Sequence, residues 1–482
     1  MTLKKQAVAG VKWTFLQQVS VQLINFVVQI ILARVLVPEE FGLIAMVVIF
    51  TSIGQTLSES GMTSSLIRSK SPTEVDYSTV FITNVFISTV IYVIVYSIAP
   101  VIAEFYNQDV LTNIIRLLSL SFIIRSLFAV HIAKLTKEMN FKLQMRLQLP
   151  STILSGFLAV YLAYMGFGVW SLVWLTLSQA TFSAIFNWTF GGWNPKVRFS
   201  KNSFQEHFNF GYKLTLSSII NTVYDNSYRI IIGKLYSPAM LGFYNLAETM
   251  RLFPVHQINY VVGKVSYPLF ATMRDNDSRL KDAYLTSVRL VLIIVIPLML
   301  SLILVAEEGF KVVFGEHWAP AVPFFQVLAI ASIFRPISTY NLNIVRTKGR
   351  SDLFLKLEIV KKILGVIAIG IGIYFGIKGL VVASVIHFLI TVVIDMHYSG
   401  KLISYSVQEQ VSDIKSLFFI GISVYVVFFY LKKAIDVYIY SDLLVLLLFF
   451  TVLNLVYFAV VFFLHKELWV VLKSLRVRNN KY

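Results

Sequence analysis

The stretch ILARVLVPEEFG at residues 31–42 recurs with the same spacing as IIGKLYSPAMLG at residues 231–242. In both copies an apolar run is followed by a cation, a proline and a glycine. At an offset of 200 residues the aligned pairs are Ile31 and Ile231, Arg34 and Lys234, Pro38 and Pro238, and Gly42 and Gly242. This repetition predicts that the chain contains two copies of one structural unit.

The register of the repeat extends into the preceding apolar segment. There the aligned pairs are Leu16 and Leu216, Asn25 and Asp225, and Gln29 and Arg229. A second match, at an offset of 210 residues, aligns LLSLSFIIRS at 117–126 with VLAIASIFRP at 327–336 and sets Arg125 beside Arg335. Six helices in each copy would insert both copies in the same orientation, related by a pseudo-twofold axis along the membrane normal.

The composition is that of a membrane protein. The chain has 482 residues, of which 57% are hydrophobic and 14% charged, and its mean hydropathy is +0.73. Soluble domains carry about 25% charged residues, so this chain has too little polar surface to face water throughout. Cysteine is absent, which excludes disulfides, thiolate metal ligands and thiol nucleophiles.

Apolar segments of about 20 residues, the length that spans a hydrocarbon core, follow one another along the whole chain. They lie at 11–33, 40–62, 77–99, 112–133, 148–166, 169–190, 211–233, 241–263, 284–305, 322–344, 354–375, 378–398, 415–433 and 442–464. We therefore predict an all-α polytopic membrane protein of about 14 transmembrane helices. Its predicted parts are a six-helix lobe (1–190), a cytoplasmic linker (191–210), a second six-helix lobe (211–400), and two extra helices with a basic tail (401–482).

The basic residues orient these segments. With both termini in the cytoplasm, the cytoplasmic side receives Arg68, Lys70, Lys134, Lys137, Lys142, Arg146, Lys196, Arg198, Lys201, Arg274, Arg279, Lys281, Arg346, Lys348, Arg350, Lys356, Lys466, Lys473, Arg476, Arg478 and Lys481. The outer side receives six, which are Arg34, Lys234, Lys311, Lys378, Lys432 and Lys433. Because membrane proteins keep Lys and Arg in cytoplasmic loops, this asymmetry explains the net charge of +17 without a nucleic-acid partner.

The loops between the segments are short and lack the motifs of common enzyme classes. They contain no phosphate-binding GxxxxGK[ST] loop, no HExxH pair and no carboxylates at catalytic spacing. The GxG in GIGIYFG at 370–376 lies within an apolar helix, where close helix packing explains it. We therefore predict a transporter rather than an enzyme, with no cofactor and no metal, driven by an ion gradient, the membrane potential or the gradient of its substrate.

Several charges fall inside predicted helices, where each costs about 3 kcal/mol at the bilayer centre on insertion scales. They are Glu59, Arg125, Asp225, Arg229, Glu248, Arg251 and Arg335. The spacing lets Asp225 pair with Arg229, and Glu248 with Arg251, along one helix face, so these four have either a structural or a cavity role. Glu59 lies near a helix end, where it reaches either headgroups or a cavity.

Arg125 and Arg335 have no acidic residue within one turn, and we expect them to line a central cavity rather than snorkel. Unpaired guanidinium groups favour an anionic substrate, since their fork geometry matches phosphate oxygens. Arg34 and Lys234 lie at outer helix ends, where snorkelling is the favoured interpretation. The first helix carries a stripe of Gln18, Gln22, Asn25 and Gln29, which either faces the cavity or bonds to neighbouring helices.

An ordered set of motifs resembles the polysaccharide transport family, the Wzx-type O-antigen flippases of the multidrug/oligosaccharidyl-lipid/polysaccharide exporter superfamily. The motifs are ILARVLVPEEFGLIA (31–45), SSLIRSK (64–70), FYNQD (105–109), KEMNFK (137–142), IIGKLYSPAMLGFYNLA (231–247), FGEHWAPAVPFFQVLA (314–329) and RTKGRSDLFLK (346–356). The resemblance implies a fold shared with multidrug exporters and the lipid II flippase, in the bacterial inner membrane.

It also implies the cargo, an undecaprenyl-diphosphate-linked oligosaccharide for O-antigen, lipopolysaccharide, capsule or exopolysaccharide, moved outward by alternating access. We expect the head group in a cationic cleft between residues 1–190 and 211–400, with Arg125 and Arg335 on the phosphates and Arg229 or Arg251 as additional contacts. Asp225, Glu59 or Glu248 are candidates for coupling to H⁺ or Na⁺. The expected partners are membrane lipids and the glycan polymerase and glycosyltransferases of the same pathway.

Three rival functions stay open. A multidrug antiporter of the same superfamily would favour a carboxylate-dominated cavity, whereas four in-helix arginines here outnumber three acids. A lipid II flippase would also have to move a charged diphosphate across the membrane, but it would carry one fixed cargo. A membrane glycan polymerase or ligase would need a large periplasmic loop, which the predicted topology lacks.

Overall fold

The computed structural model describes residues 3–59, 61–196, 198–435 and 441–464, and within these ranges the regular structure is helical. The helices are α1 Leu3–Val35, α2 Pro38–Glu59, α3 Met62–Arg68, α4 Glu74–Tyr106, α5 Val110–Lys137, α6 Phe141–Tyr164, α7 Val169–Phe190, α8 Lys201–Asp225, α9 Ser227–Leu235, α10 Pro238–Ala271, α11 Asp277–Leu304, α12 Ala306–Val313, α13 Val322–Thr347, α14 Ser351–Tyr374, α15 Gly376–Leu402, α16 Val407–Ile435 and α17 Asp442–Leu464. A 3₁₀ helix, Glu316–Ala321, precedes α13.

The predicted fold class, an all-α polytopic membrane protein, is confirmed. Each predicted apolar segment overlaps at least one helix, and two of them, 169–190 and 442–464, match α7 and α17 at both ends. Among the described residues, 11 helices are long and apolar enough to cross a membrane, which is compatible with the predicted fourteen. The basic residues of the C-terminal tail, from Lys466 to Lys481, lie outside the described residues.

The predicted seventh segment, 211–233, differs from expectation because it is broken into α8 and α9. The break lies at Asn226, a buried residue with φ −100° and ψ 3°. Its side-chain amide donates to the Thr222 carbonyl at 2.9 Å, and the Ser227 hydroxyl donates to the Tyr224 carbonyl at 2.7 Å. Such local side-chain bonds compete with the helical backbone ladder, and here they end the helix.

The chain divides into two compact units, Met1–Gly242 and Phe243–Tyr482. The lobe limits inferred from the sequence, at residues 190, 210 and 400, stay predictions. In the first unit, α4 packs on α5, α5 and α6 pack on α7, and α1 packs on α6. In the second unit, α13 and α14 both pack on α15, and α11 packs on α13, α16 and α17.

Helix boundaries repeat at the offsets that the sequence predicts. At 200 residues, α1 and α9 end at Val35 and Leu235, while α2 and α10 begin at Pro38 and Pro238. At 210 residues, α6 and α14 share both ends, and α5 and α13 share their last residues. Arg125 and Arg335 each lie twelve residues before the end of their helix, so they occupy the same position in the two copies.

The two copies of the opening motif also contact each other, entirely within the first unit. A Cβ added to Gly42 would overlap the carbonyl oxygen of Pro238, and one added to Gly242 would overlap the carbonyl oxygen of Pro38. Both prolines occupy the first position of a helix, where a missing N–H costs nothing. Because each copy touches the other through the same residues, the two motifs are related by a local twofold, as in an isologous interface.

The two C-terminal helices are integral to the second unit. The hydroxyl of Tyr284 on α11 donates to Gln410 of α16 at 3.1 Å and accepts from the amide of Asn341 on α13 at 2.9 Å. On α17, the Asn454 amide donates to the Ser301 hydroxyl at 2.9 Å. These buried bonds fix α16 and α17 against α11, since an unpaired polar group inside a membrane protein is costly.

Candidate functional site

Arg125 on α5 lies at the meeting point of adjoining cavities in the first unit. Its side chain is half-buried, and its Nε atom is buried without a hydrogen-bond partner among the residues that the structure describes. A guanidinium presents five donors in a rigid fork. Arg125 leaves its Nε donor without a partner while its side chain lines the adjoining cavities, so hydrogen-bonding capacity remains for a ligand there. Arg125 is therefore the centre of the candidate site.

The first cavity, which we call the amide pocket, has a volume of about 180 Å³. Its polar lining comes from α1, α5, α6 and α7, and consists of Gln17, Arg125, Gln144, Gln148, Gln179, Ser183 and Asn187. Apolar residues of the same helices, among them Phe128 and Leu147, complete the walls. A pocket with this many amides and one cation suits a polar or anionic ligand.

The second cavity, the carboxylate pocket, has a volume of about 210 Å³ and lies between α2, α3 and α5. Glu59, Thr63 and Arg125 are the polar residues that line it. The Glu59 carboxylate accepts a hydrogen bond from the Gln55 amide at 3.0 Å and is otherwise exposed. Glu59 and Arg125 also share a small third cavity, so the carboxylate and the guanidinium face one space.

The amides of the pocket are positioned by bonds between helices. Gln17 donates to Gln148, which joins α1 to α6. Gln144 donates to the Thr136 hydroxyl at 2.7 Å, and Gln179 donates to the Thr152 hydroxyl at 3.3 Å. These bonds fix the direction of each side chain while leaving part of each amide's hydrogen-bonding capacity unused.

Helix α1 contributes one glutamine to the amide pocket, and it is the sequence neighbour of a residue in the predicted polar stripe. Gln17, rather than Gln18, lines the pocket. Gln18, Gln22 and Gln29 are half-buried and Asn25 is exposed. A cavity role for those four residues stays a prediction.

In the second unit, Glu248 and Arg251 form a two-point ion pair along α10. The Arg251 Nε and Nη2 atoms donate to the Glu248 carboxylate at 2.6 and 2.7 Å. Arg251 Nη1 also donates to the Ser332 hydroxyl on α13 at 3.2 Å. The pair that the spacing predicts is therefore present, and a cavity role for these two residues stays a prediction.

The other candidate charges are placed as follows. Asp225 ends α8 and Arg229 lies in α9, on opposite sides of the break, and Arg229 donates to the Asn226 side chain at 2.7 Å. Arg335 is half-buried on α13. Arg34 and Lys234 are exposed in the last turns of α1 and α9, and Lys234 donates to the Phe105 carbonyl with its ammonium 4.8 Å from the centre of that ring.

Sequence reasoning missed a charged cluster in the second unit, formed by Glu358, Lys361 and Asp395. The Lys361 ammonium lies 2.6 Å from Glu358 and 3.2 Å from Asp395, which is fully buried. The Ser338 hydroxyl donates to the other oxygen of Asp395 at 2.6 Å. The available signal was an aspartate and a lysine inside the apolar segments 378–398 and 354–375, a pattern that predicts a buried pair.

A third feature of the second unit is an apolar groove between α13, α15 and α16, with a volume of about 750 Å³. Its lining includes Phe334, Leu389, Val393, Phe418 and Phe419, together with the charged side chain of Lys415. The groove is suited to an alkyl or polyprenyl chain rather than to a sugar.

Solved membrane transporters share the fold of this chain. The chain has the fold of the lipid II flippase MurJ in its inward closed conformation, with a TM-score of 0.73 at 12% identity over 94% of this chain and 99% of that one. An inward-facing multidrug resistance MATE family transporter of the MOP superfamily matches 80% of this chain and 94% of its own, with a TM-score of 0.63 at 16% identity. At these identities the likeness concerns the fold alone.

The sequence defines the family. The chain belongs to the polysaccharide biosynthesis protein family, whose model matches residues 31–323. It is 28% identical over 355 residues to the teichuronic acid biosynthesis protein TuaB of Bacillus subtilis, covering 73% of each chain. It is 26% identical over 376 residues to the lipopolysaccharide biosynthesis protein WzxC of Escherichia coli, covering 77% of this chain and 76% of WzxC. The succinoglycan biosynthesis transport protein ExoT of Rhizobium meliloti is 26% identical over 341 residues, 70% of this chain and 68% of ExoT.

Proposed function

We propose that this protein is a flippase that moves a polyprenyl-diphosphate-linked oligosaccharide across the bacterial inner membrane by alternating access. Membership of a polysaccharide biosynthesis family, relatives named for lipopolysaccharide and succinoglycan pathways, and a flippase fold support the proposal. The observation that carries it is Arg125, a guanidinium with an unpaired, buried Nε at a polar cavity within a membrane unit.

The physical task is to bring a doubly charged diphosphate through hydrocarbon, where an ionised oxygen without partners is prohibitively costly. Arg125 offers charge-assisted, two-point hydrogen bonds to phosphate oxygens. Arg335, at the equivalent position of the second copy, is proposed as a later contact. Arg251 is a weaker candidate because Glu248 already occupies its fork.

Glu59 is proposed as the exchangeable counter-charge of Arg125. Across the space that they share, the carboxylate compensates the charge of the guanidinium. When a phosphate takes over Arg125, the freed Glu59 carboxylate would need a counter-ion of its own, which an incoming H⁺ would supply. This exchange would couple transport to H⁺, and it favours Glu59 over Glu248 and Asp225 as the coupling residue.

The apolar groove of the second unit, to which α16 contributes Phe418 and Phe419, is proposed as a binding site for an alkyl or polyprenyl chain. Both termini are proposed to be cytoplasmic, from the distribution of Lys and Arg. Glycosyltransferases that build the cargo and a polymerase that extends it are the partners that this function requires.

The test compares Arg125→Ala with Arg116→Ala, a matched control on the same helix. Arg116 is half-buried, lines neither the amide pocket nor the carboxylate pocket, and stacks on Tyr96 with its guanidinium carbon 4.3 Å from the ring centre. Loss of one charge-assisted contact of about 1.5–3 kcal/mol predicts that Arg125→Ala slows flipping of a labelled polyprenyl-diphosphate oligosaccharide in proteoliposomes at least about tenfold. Arg116→Ala is expected to stay within about twofold of wild type, because Arg116 lines neither pocket. Wild-type flipping by Arg125→Ala at equal protein level would show that this arginine does not hold the phosphate.

Glu59→Gln tests the exchange of partners. A neutral amide competes less with phosphate for Arg125, so polyprenyl diphosphate is expected to bind about fivefold more tightly, on the scale of about 1 kcal/mol for an exposed charge pair. The flipping rate is also expected to lose its dependence on pH. Replacement of Na⁺ by choline leaves the wild-type rate unchanged if H⁺ is the coupled ion. A Glu59→Gln protein with the affinity and pH profile of wild type contradicts the proposed coupling.

A further inference from the structure

The amide pocket contains more hydrogen-bonding groups than a phosphate would use. Five amides, from Gln17, Gln144, Gln148, Gln179 and Asn187, point into one cavity beside Arg125. An amide is both donor and acceptor, with two N–H groups and two lone pairs on its oxygen. A phosphate only accepts, so an amide-rich wall is matched to a ligand with many hydroxyl groups, each of which donates and accepts.

The bonds between these amides leave capacity for such a ligand. Asn187 donates to the Ser183 carbonyl at 2.8 Å, and Gln179 donates one N–H to Thr152. Gln144, which has the most bonds, directs its nitrogen at Thr136 and at the Ile132 carbonyl, which leaves its oxygen as an acceptor. The pocket is therefore arranged by its own bonds but not saturated by them.

The size of the pocket limits the ligand to one ring. Sites for drug-sized molecules have volumes of about 300–1,000 Å³, whereas the amide pocket measures about 180 Å³. Phe128 and Leu147 supply an apolar wall for the C–H face of a sugar, and both are buried. The cavity thus combines hydroxyl-binding edges with an apolar face on the scale of a monosaccharide.

We propose that the amide pocket binds a single pyranose ring, the sugar that stands next to the diphosphate when Arg125 holds a phosphate. The inference rests on the proposed function for the position of the phosphate, but the sugar site itself depends only on the pocket. The pocket makes the first unit select its cargo. A sugar whose hydroxyl groups do not hydrogen-bond to the amides leaves those amides desolvated and without partners. The tail and the distal sugars need no such match.

The experiment has two independent arms, performed with the full chain in lipid nanodiscs. In the first arm, saturation-transfer NMR measures binding of methyl glycopyranosides to wild type, Gln148→Leu and Gln179→Leu. These variants lie on different helices, so a folding defect in one leaves the other informative. Gln205→Leu, an exposed glutamine on α8, is the control. We expect at least one glycoside to bind wild type and the control, and its affinity to fall about tenfold in each pocket variant, as for the loss of about 1.4 kcal/mol.

In the second arm, polyprenyl diphosphate with and without one attached sugar is titrated into the same proteins and into Arg125→Ala. The pocket variants are expected to lose affinity for the sugar-bearing carrier only, whereas Arg125→Ala loses affinity for both. Equal glycoside binding by wild type and both pocket variants, or no glycoside binding by wild type, overturns the sugar site. If neither carrier binds wild type while the glycoside still does, the proposed cargo is wrong and the sugar site stays supported.

Discussion

Gly42→Leu and Gly242→Leu are each expected to destabilise the protein by about 3 kcal/mol, the upper end of overpacking costs. A side chain at either glycine would collide with a proline carbonyl of the other motif copy, and a backbone carbonyl cannot change rotamer to make room. Because the contact is reciprocal, the two single variants should lose similar amounts. The free energy of unfolding in bicelles measures the loss, and flipping in proteoliposomes should fall with it.

The control for this prediction is Gly370→Leu on α14. A Cβ at Gly370 has no atom of the described chain within 4 Å, and the helical position gains about 0.5–1 kcal/mol when glycine is replaced by a better helix former. The control should therefore be neutral or stabilising. If Gly42→Leu and Gly242→Leu match Gly370→Leu in stability, the two motif copies do not approach as closely in the membrane as described.

Lys361→Met is expected to cost about 3–5 kcal/mol in unfolding free energy, the price of leaving a buried carboxylate without its counter-ion. The carboxylate is Asp395, which is fully buried between Ser338 and Lys361. Replacing both members, as Lys361→Met with Asp395→Leu, should recover most of the lost unfolding free energy, since no isolated charge then stays buried. Glu358 stays in that variant, but its side chain is 32% exposed and reaches water.

A double-mutant cycle on this pair measures the coupling directly. Lys311→Met is the matched control, because Lys311 pairs with Glu307 at 3.2 Å across an exposed helical turn, where about 0.5 kcal/mol or less is at stake. An additive cycle, in which the double variant is as unstable as the sum of the single losses, contradicts the burial of Asp395 beside Lys361.

Much of the fold could be predicted from the sequence because hydrocarbon imposes length and apolarity on each spanning helix. The repeat at 200 residues predicted two copies of one unit, although the predicted segments begin at residues 40 and 241 rather than at the prolines where α2 and α10 begin. The break at Asn226 could not be predicted by hydropathy, because local side-chain bonds decide it. Polar residues around that position were the available signal.

The candidate site was only partly predictable. Arg125 stands out in the sequence since no acidic residue lies within one turn of it, and the structure places it at a polar cavity. Its proximity to Glu59 depends on how α2 packs against α5, a contact between residues far apart in the chain. Nor could the sequence distinguish Gln17 from Gln18 as the pocket residue, because that choice depends on the rotation of α1 about its axis.

The reciprocal packing of the proline–glycine motifs bears on the origin of the molecule. A patch that fits onto its own copy needs to be encoded only once, so an unduplicated ancestor bearing this motif could already associate as a homodimer. Fusion of two such genes would then have joined existing neighbours rather than created a new contact. After such a fusion, a bulky side chain would be excluded at both glycines, 200 positions apart, because each faces a backbone carbonyl of the other copy that no substitution removes.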